Sequence, residues 1–130
     1  LQENVCACAP LPSQYAAIEA LSGKGRYSEN MVAIFTKRRN VLVEGINSIP
    51  MLSCKAPEAT FYLMVDISRT GMKSEDFCIA LLKSVQVACV PGIAYGLSCD
   101  NYVRIAFTLD EEKICEGVCR IRRFIETLKK

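Results

Sequence analysis

Toward the end of the chain, Ile114, Val118, Ile121, Ile125 and Leu128 recur at steps of three and four, the spacing of one face of a helix. Thr108 and Glu111 stand just before them at the spacing of a capping box. Further upstream, Met31, Ile34, Phe35, Val41 and Leu42 share a face over residues 28–47, with Lys37, Arg38 and Arg39 on the other. Gly45 falls near the end of that helix. A shorter helix is predicted over residues 15–21, opened by Pro12-Ser13-Gln14 and stopped before Gly23, with Gly23-Lys24-Gly25 as a joint. Ser74, followed by Glu75 and Asp76, reads as an N-cap with acids in the first turn, giving a helix over residues 73–83 that presents Phe77, Ile79 or Ala80, Leu81 and Leu82.

Between these helices the pattern changes to runs of β-formers. Residues 51–55 and 60–67 read as an antiparallel pair joined through Ala56-Pro57-Glu58, residues 87–90 as a buried strand, and residues 101–107 as a strand of clean alternation. The order is helix, two strands, helix, two strands, helix after a short leader. The fold class expected is α+β, a small mixed or antiparallel sheet with helices packed on it.

Composition leaves that picture in place. With 130 residues, 51% of them hydrophobic, the chain can fill one ordinary core. The formal net charge of +2 gives no field that calls for nucleic acid or an anionic membrane. Its C-terminal cations Arg120, Arg122, Arg123, Lys129 and Lys130 suit the end of a helix. No apolar run is long enough to span a bilayer and the first ten residues do not resemble a secretory signal, so the expected compartment is the cytoplasm. Eight cysteines, Cys6, Cys8, Cys54, Cys78, Cys89, Cys99, Cys115 and Cys119, show no C-x-x-C spacing, and the chain has no histidine. No metal site is expected. Cys54, Cys78 and Cys89 lie in apolar segments and read as core packing.

Candidate chemistry is sparse. Without histidine or a distinct carboxylate pair, the common hydrolytic and proton-shuttling arrangements cannot be assembled. Asp66 and Glu58 read as capping or solvated groups, and Ser68-Arg69-Thr70-Gly71 as a turn. One position differs. In residues 101–107, Val103, Ile105 and Phe107 take one face of the strand and Tyr102, Arg104 and Ala106 the other. Arg104 therefore projects from mid-strand opposite the core, beside a small residue, after a loop whose Gly92 and Gly96 allow close backbone approach.

Val90-Pro91-Gly92-Ile93-Ala94-Tyr95-Gly96, followed by Asn101-Tyr102-Val103-Arg104-Ile105-Ala106-Phe107, resembles the C-terminal signature of class I aminotransferases, the aspartate aminotransferase family of pyridoxal-phosphate enzymes. Other pieces fall in family order: Arg38-Arg39, Pro57-Glu58-Ala59-Thr60-Phe61-Tyr62, Asp110-Glu111-Glu112, and Pro12-Ser13-Gln14 with Ala20-Leu21. The chain departs from many relatives in having Ala59-Thr60 where they have Gly-Ala, which makes that turn stiffer.

The resemblance implies the C-terminal portion of a fold type I, pyridoxal-phosphate-dependent α/β transferase. Residues 1–25 would end the large cofactor-binding domain, and residues 26–130 would form the small domain that closes on substrate. Arg104 would correspond to the arginine that binds the substrate's α-carboxylate. The lysine that holds the cofactor has no match among the lysines here, so catalytic and cofactor-binding residues are expected upstream, and this portion alone is expected to be inactive and free of pyridoxal phosphate. The complete protein would be a homodimer moving an amino group between an amino acid and a 2-oxo acid. A synthase or lyase on the same fold, a stand-alone α+β regulatory module, and a thiol redox protein are the alternatives.

Overall fold

The computed structural model describes residues 8–22 and 26–128, except for the side chains of Arg26 and Tyr27. The predicted joint at Gly23-Lys24-Gly25 lies outside the described residues. The chain falls into two compact units that divide in sequence between Val32 and Ala33.

The first helix, α1 (Leu11–Ser22), begins earlier than its apolar pattern suggests. Pro12 is accommodated in its first turn, where no backbone N–H is required, and the Pro10 carbonyl accepts from the N–H groups of Ser13 and Gln14. None of its residues is buried.

Helix α2 (Arg26–Asn47) is longer than the core it covers. Leu42 and Ile46 are buried, with Ile49 just beyond the helix end, whereas Met31 and Ile34 of the predicted apolar face are exposed. Arg38 and Arg39 are tied to other segments: Arg38 Nη1 donates to the Thr108 carbonyl (2.8 Å) and Arg39 Nη1 to that of Pro57 (3.2 Å). Gly45 is helical. A Cβ there would sit 2.8 Å from Val118 Cγ2, so its missing side chain lets α2 approach the last helix closely.

A four-stranded sheet of order β1-β2-β4-β3 follows, antiparallel at every pairing, which makes the domain α+β. Strand β1 is only Ser53–Cys54. Met51, predicted to be extended, takes φ 71° and belongs to the turn. Asn47 fixes β1 by accepting from Cys54 N–H and donating to the Cys54 carbonyl. Strand β2 (Tyr62–Asp66) enters from Thr60, a β-branched residue at φ 69° whose Oγ1 accepts from Tyr62 N–H. The stiffer turn expected from Ala59-Thr60 thus has a left-handed residue at its end. Asp66 Oδ1 accepts from Ser68 N–H, and residues 68–71 form a 3-10 turn closed by left-handed Gly71.

Helix α3 (Ser74–Val85) starts one residue earlier than an N-cap at Ser74 requires, with Lys73 in the cap position. Ser74 is buried inside the first turn, and its hydroxyl donates to Asp100 Oδ1 (2.8 Å) instead of capping its own helix. Phe77, Cys78 and Leu81 reach the core, while Ile79 and Leu82 face outward. Left-handed Gln86 ends the helix. Residues 87–89 are irregular, so the predicted buried strand shrinks to β3 (Val90–Pro91).

Two 3-10 turns, Gly92–Tyr95 and Leu97–Cys99, lead into β4 (Tyr102–Ala106). The final helix, α4 (Glu111–Thr127), is capped by Asp110, whose carboxylate accepts from Lys113 N–H (2.9 Å). The Thr108–Glu111 capping box is therefore displaced: Asp110 lies closer to the helix and supplies the oxygen. Ile114, Val118, Ile121 and Ile125 are buried as the pattern predicts, together with Phe124, which stacks edge-on against Phe77 of α3 at 5.4 Å. Cys78 is buried in this core, with Cys54 and Cys89 packed against it.

Candidate functional site

Alternation along β4 sends Val103 into the core and Arg104 to the opposite face, as its sequence predicts. Antiparallel register then fixes the neighbours. Arg104 stands beside Met64 of β2 on one side and Val90 of β3 on the other.

Two rings close on the guanidinium. Its carbon lies 4.0 Å from the ring centre of Tyr62 and 5.3 Å from that of Tyr95. Both distances fall in the cation–π range, and guanidinium, being weakly hydrated, tolerates such cover while retaining its N–H groups for an anion. Tyr62 is backed by Phe61 at 4.4 Å, and Phe61 lies 6.3 Å from Phe35, which lies 6.3 Å from buried Phe107. The ring against Arg104 is thereby connected to the core.

Among the described residues, Arg104 has neither a carboxylate nor a hydrogen-bond partner; the ion pairs there involve Lys37, Lys73, Lys113 and Arg120. A half-buried guanidinium held by rings and unpaired among the described residues has the donor geometry to bind a planar anion.

Tyr95 reaches this face because its loop is pinned. Gly92 lies so near the start of β4 that a Cβ would come within 2.0 Å of the Cys99 carbonyl oxygen and 2.5 Å of that of Tyr102. The loop glycine foreseen from sequence is thus required by close approach. Beside it, Ser74 Oγ accepts from Ile93 N–H (3.1 Å) while donating to Asp100, and Lys73 pairs with the same carboxylate at 3.1 Å. The Ser74 hydrogen bond, followed by that from Lys73, holds the Asp100 carboxyl below its ordinary range.

Sequence reasoning singled out Arg104 but gave no site role to Tyr62, Tyr95 or Asp100, and it read Ser74 as a helix cap. The strand alternation that exposes Arg104 also puts Tyr62 on the same face of β2, a signal that becomes readable once the register is known. Asp66 and Glu58 do not join the site: Asp66 serves its own turn and Glu58 is exposed. Among the described residues, no cluster of potential metal ligands occurs and no helix is long and apolar enough to cross a membrane.

Comparison with known proteins gives the family of the chain. The family model described as aminotransferase class I and II matches residues 1–121. The aspartate aminotransferase of Pyrococcus horikoshii is 36% identical over 115 residues, covering 87% of this chain and 29% of that protein. The LL-diaminopimelate aminotransferase of Moorella thermoacetica is 33% identical over 125 residues, covering 96% and 32%. The crystal structure of the aromatic aminotransferase from Pyrococcus horikoshii OT3 superposes with a TM-score of 0.84 at 33% identity, over 89% of this chain and 31% of that one. The chain spans about three-tenths of the length of the curated relatives it matches. With the family match running through the collinear motifs and the fold superposing on solved members, the chain belongs to the aminotransferase class I and II family.

Proposed function

We propose that this chain is the substrate-closing portion of a pyridoxal-phosphate-dependent aminotransferase, and that Arg104 binds the substrate's α-carboxylate. Residues 1–25 would close the large cofactor-binding domain and residues 26–130 would form the small domain. The complete protein would work in the cytoplasm as a homodimer, transferring an amino group between an amino acid and a 2-oxo acid. The observation that carries this reading is the state of Arg104: ring-flanked, half-buried and, among the described residues, without an anionic partner, on a strand within the motif that resembles the family's signature.

Pyridoxal phosphate supplies the electron sink for this chemistry, and its binding residues are assigned to the rest of the complete protein. What this chain supplies is orientation. Two parallel N–H···O bonds from one guanidinium fix a carboxylate's plane as well as its position, and with it the direction of the bonds at the substrate's Cα. An ammonium cannot do this, because it is a point charge with rotating donors.

The test is Arg104→Lys in the complete enzyme, followed by stopped-flow kinetics of each half-reaction with an amino acid and with the amine that lacks its carboxylate. Losing one partner of a desolvated, hydrogen-bonded charge pair costs about 2 to 5 kcal/mol, so kcat/KM for the amino acid should fall roughly a hundredfold or more. The amine's kcat/KM should hardly change. Equal discrimination by wild type and variant would remove Arg104 from the carboxylate site.

A further inference from the structure

Away from the Arg104 face, two thiols meet. Cys78 lies on the buried side of α3 and Cys89 in the irregular stretch that connects α3 to β3, and their sulfurs are 3.2 Å apart. Both line a shallow groove of about 220 Å³ bordered by Glu75, Leu82 and Pro91. A small polar oxidant can therefore reach the pair from the surface. A disulfide is about 2.05 Å long, and the stretch that would have to yield, residues 87–89, is held in neither helix nor strand. Neither cysteine belongs to the Arg104 site.

We propose that Cys78 and Cys89 form a reversible dithiol–disulfide couple, a modification site in which a peroxide is the two-electron oxidant. The Cys78 thiolate attacks one peroxide oxygen, the O–O bond breaks, and the departing hydroxide takes a proton to leave as water, so that Cys78 becomes a sulfenic acid. Cys89 then attacks the Cys78 sulfur, its thiol proton leaves with the sulfenic hydroxyl as a second water, and the S–S bond forms. Two thiols and one hydrogen peroxide yield one disulfide and two waters. The order follows from the surroundings: burial raises the Cys78 thiol but the hydrogen bond with Cys89 opposes it, whereas burial and then Cys78 both push Cys89 far above its usual range. Both thiols remain protonated at neutral pH, so the reaction is slow there and accelerates about tenfold per pH unit as thiolate forms.

The experiment is to expose the intact protein to a small excess of hydrogen peroxide in native buffer at several pH values, alkylate the remaining thiols, and digest without reductant for mass spectrometry. The expected product joins the Cys78 and Cys89 peptides, grows with pH, and reverts to two alkylatable thiols after dithiothreitol. Cys78→Ser and Cys89→Ser should each abolish it. Wild type alone decides the matter should either variant fold poorly. Full alkylation of both thiols after peroxide, linkage of either one mainly to exposed Cys115 or Cys119, or a Cys78–Cys89 bond that appears only in urea would each overturn the couple.

Discussion

A guanidinium held between two phenol rings keeps its N–H bonds in a fixed plane, and the sheet beneath Arg104 determines where that plane sits. Tyr62 and Tyr95 contribute unequally, because Tyr62 is built into β2 and backed by Phe61, whereas Tyr95 comes from a 3-10 turn and is half exposed. Removing the Tyr95 ring should loosen the arginine without disturbing the sheet. A cation–π contact contributes about 0.5 to 2 kcal/mol, so in the complete enzyme Tyr95→Ala should raise KM for the amino acid roughly twofold to thirtyfold. Tyr95→Phe, which keeps the ring face, should restore most of the loss. Steady-state kinetics with the amino acid and its decarboxylated amine measure this, and an equal rise in KM for both would separate Tyr95 from carboxylate binding. Arg104 itself was legible in the sequence because strand alternation is a local rule. Its rings were not, since Tyr62 arrives through register with a distant strand and Tyr95 through a turn whose direction only Gly92 and Ser74 explain.

Among the elements, α3 does more than cover the sheet. Its first residue, Ser74, connects the helix start to Asp100 and to the loop that carries Tyr95. Asp100 is held below its ordinary carboxyl range in the folded chain, so the unfolded chain takes up its proton first as the medium becomes acid. Stability from this carboxylate is therefore complete above the ordinary carboxyl range and is lost as pH falls through that range toward the lower folded value. Ser74→Ala removes the largest cause of the shift. The variant should be less stable than wild type near pH 7, by an amount that shrinks toward pH 3, as urea unfolding at both pH values would show. A constant difference would mean that Ser74 acts through packing alone. The sequence misread this residue as a cap because Ser-Glu-Asp has the composition of one, and only the tertiary acceptor across the fold decides otherwise. The same kind of error moved the α4 cap from Thr108 to Asp110, while the buried stripe of α4 was legible because periodicity integrates over many turns. Strands β1 and β3 shortened because left-handed Met51 and Gln86 and the bend at Gly92 end the pairing, and composition does not announce those angles.

For the whole molecule, the two units differ in what they bury. Leu11, Tyr15, Ile18 and Leu21 lie along one side of α1 and are 63%, 67%, 61% and 89% exposed, whereas among the described residues the buried hydrophobic core lies in the second unit. A net charge of +2 offers little repulsion to oppose contact between such faces. At high concentration this chain should self-associate, and Tyr15→Lys with Ile18→Lys should return it toward monomer; sedimentation velocity over a concentration series measures both, and a wild-type chain that stays monomeric would show that the face is not adhesive. The sheet order has a consequence during synthesis. Strand β2 pairs with β1 on one edge, but its other edge belongs to β4, which follows only after α3 and both 3-10 turns. On the ribosome, Leu63 and Val65 therefore emerge well before Val103 and the α4 residues that will cover them. Until then the nascent chain presents an unfinished hairpin, apolar on one side and open at one edge, and that interval is when a holding chaperone has its natural place.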